Sequence, residues 1–222
     1  METDYDFSAK IYDPVLYLAL RPIRFAVMNE LLNHKNKKIL DLCCGTGNQL
    51  KLLSKNGFKN LHCLDISTSM LKIANKGDYP INIYNENATK TSFENESFDI
   101  AIISFAIHEK NKDTQKKFIK ETHRLINKDG FILVVDYAFD NKTPEFVKKG
   151  IDIIERLAGR EHYNNYKNYI QNNGLASLMT ENKFELLKYN KRLFNGVTIS
   201  RYKKTQPYRK VQPSFLTDQS EV

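Results

Sequence analysis

The stretch that most constrains this chain is KKILDLCCGTGNQLKLL, residues 37–53. An apolar run ends near Cys44, the glycines Gly45 and Gly47 follow, and a new periodic segment opens at about Asn48. That order reads as strand, tight turn and helix. A glycine turn in this place lets a ligand come close to the backbone and leaves N–H groups free to face it. A carboxylate, Asp41, stands four residues before the first glycine. Several nucleotide-like ligands use such a turn, so the neighbouring residues have to discriminate among them.

Two common readings fail on the residues. A dinucleotide turn runs G-x-G-x-x-G, with its third glycine where helix meets strand, and here Leu50 takes that place. A phosphate-cradling Walker loop needs G-K-[ST] at its end, and none is present. Asp41 would also repel a pyrophosphate, whereas it suits a ligand ammonium or the loop's own amides. Asp65 closes the next apolar run, 18 residues beyond Gly47. Its two oxygens suit the two hydroxyls of a ribose. A ribose-bearing cofactor with an amino acid tail and no phosphate meets both conditions, and S-adenosylmethionine is such a molecule. The plainer alternative is a tight turn that Asp41 merely caps.

From Lys38 onward strands and helices alternate. KILDLCC, NLHCLDIS, INIYNEN, SFDIAIISFAI and GFILVVDYA read as strands. NQLKLLSKNG, TSMLKIANK and DTQKKFIKETHRLI read as helices, the second opened by a capping hydroxyl and the third stopped by Gly130. Such alternation predicts a doubly wound, mostly parallel sheet with helices on both faces. After Ala138 the pattern changes to a helical insertion over residues 139–181, with Pro144 near the start of its first helix and tyrosines at 163, 166 and 169. KFELLKYN and GVTISRYKK then close the ordered part as two strands. We expect one domain over residues 1–205 and a flexible tail over 206–222.

Taken as a set, these segments resemble the class I S-adenosylmethionine-dependent methyltransferases, in the group that includes the quinone-biosynthesis C-methyltransferases. ILDLCCGTG resembles the first motif of that family, which commonly has Gly where Cys43 stands. LDIS followed by SMLKIA resembles the second motif, and NATKTSFENESFDIAIISFAIHE the segment joining the third motif to the fourth strand. The likeness covers residues 35–138 well and 183–203 moderately. It implies a Rossmann-like, seven-stranded sheet, an N-terminal helical lid over residues 1–34, and the helical insertion before the last two strands. It also implies that Asp41, Cys43, Gly45 and Gly47 meet the methionine end of the cofactor, and Asp65 the ribose. Ile66, Met70 and Ala88 would lie toward adenine, with Asn87 at its amino group, accepting through the amide oxygen and also donating. Ser104 and Phe105 would floor the site near the reactive methyl. On the lid, Tyr5, Lys10, Tyr12 and Arg24 are available, Tyr12 and Arg24 for the methionine carboxylate.

Methyl transfer from a sulfonium needs a positioned nucleophile and exclusion of water more than it needs a base. His108, beside Glu109, is the first candidate for a base or an acceptor-holding group, and Tyr137 the second. Asp136 faces the pocket or caps the chain. Tyr163, Tyr166 and Ile170 at helical spacing form a packing face or an aromatic wall, and Arg160 with His162 could hold an acidic group. The expected acceptor is a small or medium organic molecule, at an oxygen or carbon of a ring compound.

Composition narrows the partners. Three cysteines (Cys43, Cys44 and Cys63) make no disulfide framework, so we expect buried thiols in a reducing, cytoplasmic setting. No cysteine–histidine metal spacing surrounds them, and no metal cofactor is expected. The net charge of +8 owes much to RYKKTQPYRK, residues 201–210, with five basic and no acidic groups. Such a segment permits peripheral contact with an anionic membrane. No separate nucleic-acid module or amide-proline-aromatic motif is visible, which disfavours an RNA or DNA methyltransferase. A cofactor-binding regulator without transfer activity is the rival from another class. Monomer and homodimer are both compatible with the sequence.

Overall fold

Buried apolar residues at alternate positions determine where each strand must sit. The computed structural model describes residues 20–172 and 174–205. Every residue of β1 (Ile39–Leu42) and of β2 (Leu61–Asp65) is buried, as strands covered on both faces require. With β3 (Ile81–Asn85), β4 (Phe98–Ser104), β5 (Ile126–Tyr137), β6 (Phe184–Arg192) and β7 (Val197–Lys204) they form one seven-stranded sheet in the order β3-β2-β1-β4-β5-β7-β6. The pairs from β3 across to β5 are parallel, and β7 pairs antiparallel with both β5 and β6. The sheet expected from the alternation is therefore present.

Period-two alternation splits the core into two layers. Leu40, Leu42, Ala101, Ile103, Ile132 and Val134 face α4 (Lys112–Leu125), α6 (Arg160–Gln171) and α7 (Gly174–Glu181). Ile39, Ile100, Ile102, Leu133 and Val135 face α1 (residues 20–31), α2 (Asn48–Lys55) and α3 (Thr68–Ala74). Each such Leu or Ile, wholly withdrawn from water, contributes roughly 1.5–3 kcal/mol. On α1 the stripe Ile23, Val27 and Leu31, four apart, is buried in the second layer. Of the expected lid, residues 1–19, including Tyr5, Lys10 and Tyr12, lie outside the described residues, as do residues 206–222 of the tail.

Glycines are required where the backbone turns toward the sheet's carboxyl edge. Gly47, at φ +70°, caps α2 from the left-handed region, and a Cβ there would stand 3.0 Å from the Cβ of Ala74. Ser67 caps α3 by accepting from the Met70 N–H at 3.3 Å. The third sequence helix ends earlier than expected. It stops at Leu125 and the chain enters β5 at once, so Gly130 lies inside a strand, where a Cβ would stand 2.3 Å from the Asp99 carbonyl.

One further expectation is corrected. Cys44 and Cys63 form a disulfide, with Cα atoms 5.6 Å apart, and Cys43 alone keeps a free thiol. Counting cysteines for a framework misses a bond between adjacent parallel strands. The Cys44 N–H bonds the Leu64 carbonyl at 3.0 Å and brings its side chain beside Cys63. The basic stretch is also less free than its composition suggests. Arg201 stacks over Phe131 at 4.0 Å and donates to the Glu30 carbonyl at 2.6 Å. Lys203 and Lys204 pair with Glu185 and Glu96. Among the described residues no helix is long and apolar enough to cross a membrane.

The insertion holds α5 (Glu145–Leu157), α6 and α7 between β5 and β6. Pro144 is the residue before α5, in extended backbone that suits a helix entry.

Candidate active site

The chain reverses its direction of travel across the sheet between β1 and β4, and a crevice opens beyond their carboxyl ends. A cavity of about 370 Å³ lies there. It is lined by Arg24, Asp41, Cys43, Gly45, Met70, Ser104, Phe105, His108 and Tyr137, so nine of the expected residues meet at one place. Gly47, Asp65, Ile66, Asn87 and Ala88 are not on its wall.

Asp65 shapes the turn from behind. One oxygen accepts the Gly45 N–H at 2.8 Å and the other the Ser67 N–H at 2.9 Å. Both oxygens keep acceptor capacity for a further donor, because a carboxylate offers about four lone-pair sites. Gly45 sits at φ +53°, and among the described residues nothing lies within 4 Å of where a Cβ would stand. The turn thus leaves open space over its own backbone. Asp41 is 3% exposed. Burial, and then repulsion from Asp65, push its carboxyl up to about 8, while Arg24 pulls the other way. A buried carboxyl that resists ionisation is poised to accept a cation. Burial also pushes the Cys43 thiol up to about 12, so this cysteine is a neutral wall group.

Beyond Asp65, Ile66 is an apolar side chain left 67% exposed. Asn87 differs from its expected role. Its amide oxygen accepts from both the Thr89 N–H (2.9 Å) and the Thr89 hydroxyl (2.8 Å). A local turn therefore occupies the acceptor that the sequence reading gave to an adenine amino group.

Residues 39–130 match the sequence profile of the methyltransferase domain family. A solved S-adenosylmethionine-dependent methyltransferase from Aquifex aeolicus superposes with a TM-score of 0.66 at 17% identity, covering 91% of this chain and all of that one. The 1,6-didemethyltoxoflavin-N1-methyltransferase of Burkholderia thailandensis, solved with its substrate and S-adenosylhomocysteine, superposes at 0.64 with 14% identity, covering 92% and 87%. This is the class I S-adenosylmethionine-dependent methyltransferase fold. In sequence, an uncharacterized protein of Methanocaldococcus jannaschii is 37% identical over 143 residues, 62% of this chain and 52% of that protein. A ubiquinone/menaquinone biosynthesis C-methyltransferase of Campylobacter jejuni is 28% identical over 109 residues, 46% of each chain. The chain thus spans about half the length of these curated relatives.

On this methyltransferase fold, the other half of the cavity is polar and buried. The loop after β4 turns through Phe105, at φ +53°, and is fixed by Gln115, whose amide donates to the Ile107 (3.1 Å) and Lys110 (2.8 Å) carbonyls. That fixes His108, 3% exposed, with Nδ1 2.6 Å from Asp136 Oδ1. Asp136 is therefore the residue that orients the imidazole. Glu109, the expected orienter, instead pairs with Lys110 at 2.7 Å. Burial pulls the His108 pKa down, but the charges of Asp136 and then Glu155 overturn it and lift it to about 10. The two carboxylates thus favour the protonated imidazole, a donor, over the free base.

Glu155 is the residue that sequence reasoning missed. It occupies the buried stripe of α5 behind Val147 and Ile151, four apart, where a carboxylate is out of place. That intrusion is the signal that could have found it. Burial would raise its pKa, but the His108 and His162 imidazoles beside it hold it at about 2. Tyr137 donates its hydroxyl to Glu155 Oε1 at 2.9 Å. From α6, His162 places Nε2 2.7 Å from Glu155 Oε2. Tyr166 and Tyr169 are buried in packing, and Tyr163 bonds Asp152, so the tyrosine stripe is mainly a structural face.

Proposed function

We propose that this chain transfers a methyl group from S-adenosylmethionine to an oxygen or carbon of a small or medium ring compound, releasing S-adenosylhomocysteine. One observation carries the reading. A single cavity touches both the Asp41–Gly45 turn and the His108–Tyr137–Glu155 cluster, so a donor at one end and an acceptor at the other would meet within it. The names of the sequence relatives and of the solved neighbours point the same way.

When bound, S-adenosylmethionine supplies an electrophilic methyl on a positive sulfonium. Asp41 would ionise against the ligand's ammonium, and the open backbone at Gly45 would take its methionine end. Asp65 would accept from the ribose hydroxyls while holding the turn, and exposed Ile66 would cover one face of adenine. Leu20, Ile23 and Val27 of α1 line the cavity and would help to exclude water around the bound ligand. His108, held as a cation, would donate to an acceptor oxygen and fix it in line with the methyl. An acceptor presented as its anion needs no separate base.

The test is incubation of the purified chain with cell metabolites and isotope-labelled cofactor, reading which compounds gain a methyl. Labelling of one class of ring compound is expected. H108A and H108N should then lose transfer while keeping cofactor affinity. Unchanged transfer in both would remove His108 from the site.

A further inference from the structure

The polar end of the cavity contains more ligand-type atoms than the roles above require. His108, Glu155 and His162 each direct one donor atom to a common place, and these atoms lie within 4.8 Å of one another. Glu155 and His162 come from two successive helices of the insertion, and His108 from the loop after β4, so no spacing in the sequence could have shown them together.

The contacts within this group are close without being aligned. His162 Nε2 is 2.7 Å and His108 Nε2 3.4 Å from Glu155 Oε2. Yet that buried oxygen has no hydrogen-bond partner of acceptable geometry among the described residues. Groups that crowd together with their lone pairs off each other's axes are arranged to converge on a third point. Outer partners then fix each ligand. Asp136 holds His108 Nδ1 at 2.6 Å, which leaves Nε2 as the atom facing the group. Tyr137 holds Glu155 Oε1 at 2.9 Å, which leaves Oε2. A carboxylate behind a histidine ligand and a bonded second oxygen on a carboxylate ligand are what metal sites use to fix tautomer and direction.

We propose that His108, Glu155 and His162 bind one divalent transition-metal ion, of the zinc or ferrous type, at the acceptor end of the cavity. Two imidazoles and one carboxylate are a donor set for such ions, whose ligand atoms sit about 2.0–2.2 Å from the metal and hence roughly 3–4 Å apart. Closure from the present separations takes side-chain shifts of less than about 1 Å on that basis. All three residues line the cavity, so the remaining coordination positions open toward it. An acceptor oxygen placed there would be gripped and acidified by the ion. That last role rests on the methyl-transfer reading, whereas metal binding does not. His108 would then serve as a ligand when the ion is present.

The purified chain, stripped with a chelator, is titrated with Co²⁺ alone, and visible absorption and stoichiometry are read. Zn²⁺ is then added as competitor. One equivalent of Co²⁺ with a ligand-field band that Zn²⁺ abolishes is expected. H162A should bind at least tenfold more weakly, and its melting curve is recorded to show that it is folded. E155Q should lose the band. Absence of stoichiometric Co²⁺ binding, or unchanged affinity in H162A, would overturn the proposal. S-adenosylhomocysteine affinity is measured on the same samples. Cofactor binding without metal removes only this site, and metal binding without cofactor removes only the methyl-transfer reading.

Discussion

Asp41→Asn should make the empty protein more stable at mildly alkaline pH and at the same time weaken its affinity for the cofactor. Asp41 is the third residue of β1, set between Cys63 on β2 and Ile102 on β4. Its carboxyl rises from 3.8 to about 8 in the fold, first through burial and then through Asp65. Between those two values folding takes up a proton, so stability falls as pH rises through the window and the loss is complete above about 8. At about 1.4 kcal/mol per tenfold in proton affinity, the ceiling is about 6 kcal/mol, and relaxation around an ionised group brings the expected loss to ~1–3 kcal/mol. Asparagine has the same shape and no charge to bury. Thermal unfolding of parent and D41N at about pH 4 and about pH 8 should therefore give similar midpoints at the lower pH, near the unfolded carboxyl's own pKa, and a higher midpoint for D41N at the upper, by ~3–10 °C. Binding of a cationic ligand reverses the balance. It needs the ionised carboxyl, so uptake by the parent should release a proton below about pH 8, measured by calorimetry in buffers of different ionisation heat. D41N should bind at least tenfold more weakly. A parent whose midpoint is flat across the window, or a D41N that is less stable at the upper pH, would refute the reasoning.

Other positions separate turn geometry from ligand space. Gly45→Ala faces open space but sits at φ +53°, so it should cost about 1 kcal/mol, from backbone strain alone, while obstructing the cofactor. Gly47→Ala adds contact with Ala74 to a left-handed backbone and should cost ~1–3 kcal/mol in chemical denaturation. The reverse ranking of the two in stability would contradict the description of the turn. Reduction of Cys44–Cys63, which closes a separation of 19 residues, should lower unfolding free energy by about 3 kcal/mol. An unchanged midpoint after complete reduction, checked by thiol titration, would speak against the bond. Tyr137→Phe leaves Glu155 Oε1 without its hydroxyl donor and should destabilise by ~1 kcal/mol. A fold no less stable than the parent would mean that the bond contributes nothing.

What could be read in advance divides along a physical line. Strand alternation and the turn at Gly45–Gly47 are local signals, and from them the sheet, the position of the crevice and the Asp41–Asp65 pair followed. The ending of the third helix was misjudged because glycine was taken as a stop signal. Leu125 and Ile126 instead pass straight from helix to strand, and Gly130 is required by the Asp99 carbonyl beside it. The Cys44–Cys63 bond escaped because it depends on which strands are neighbours, a property of the assembled sheet. The same holds for the polar end of the cavity. His108 was visible as a residue after a strand, but its partners Asp136, Glu155 and His162 arrive from a strand and two helices up to 54 residues away. Only the carboxylate in the apolar stripe of α5 gave a local sign of them. Asn87 shows the opposite case, a role carried over by likeness to a position where a nearby threonine donates to the same oxygen.

The most direct measurement is calorimetric titration of the purified chain with S-adenosylhomocysteine, alongside NADH and ATP at equal concentration. The account predicts one site for the adenosyl ligand and none of comparable affinity for the two phosphate-bearing molecules. Tight uptake of NADH or ATP with no heat from the adenosyl ligand would contradict it.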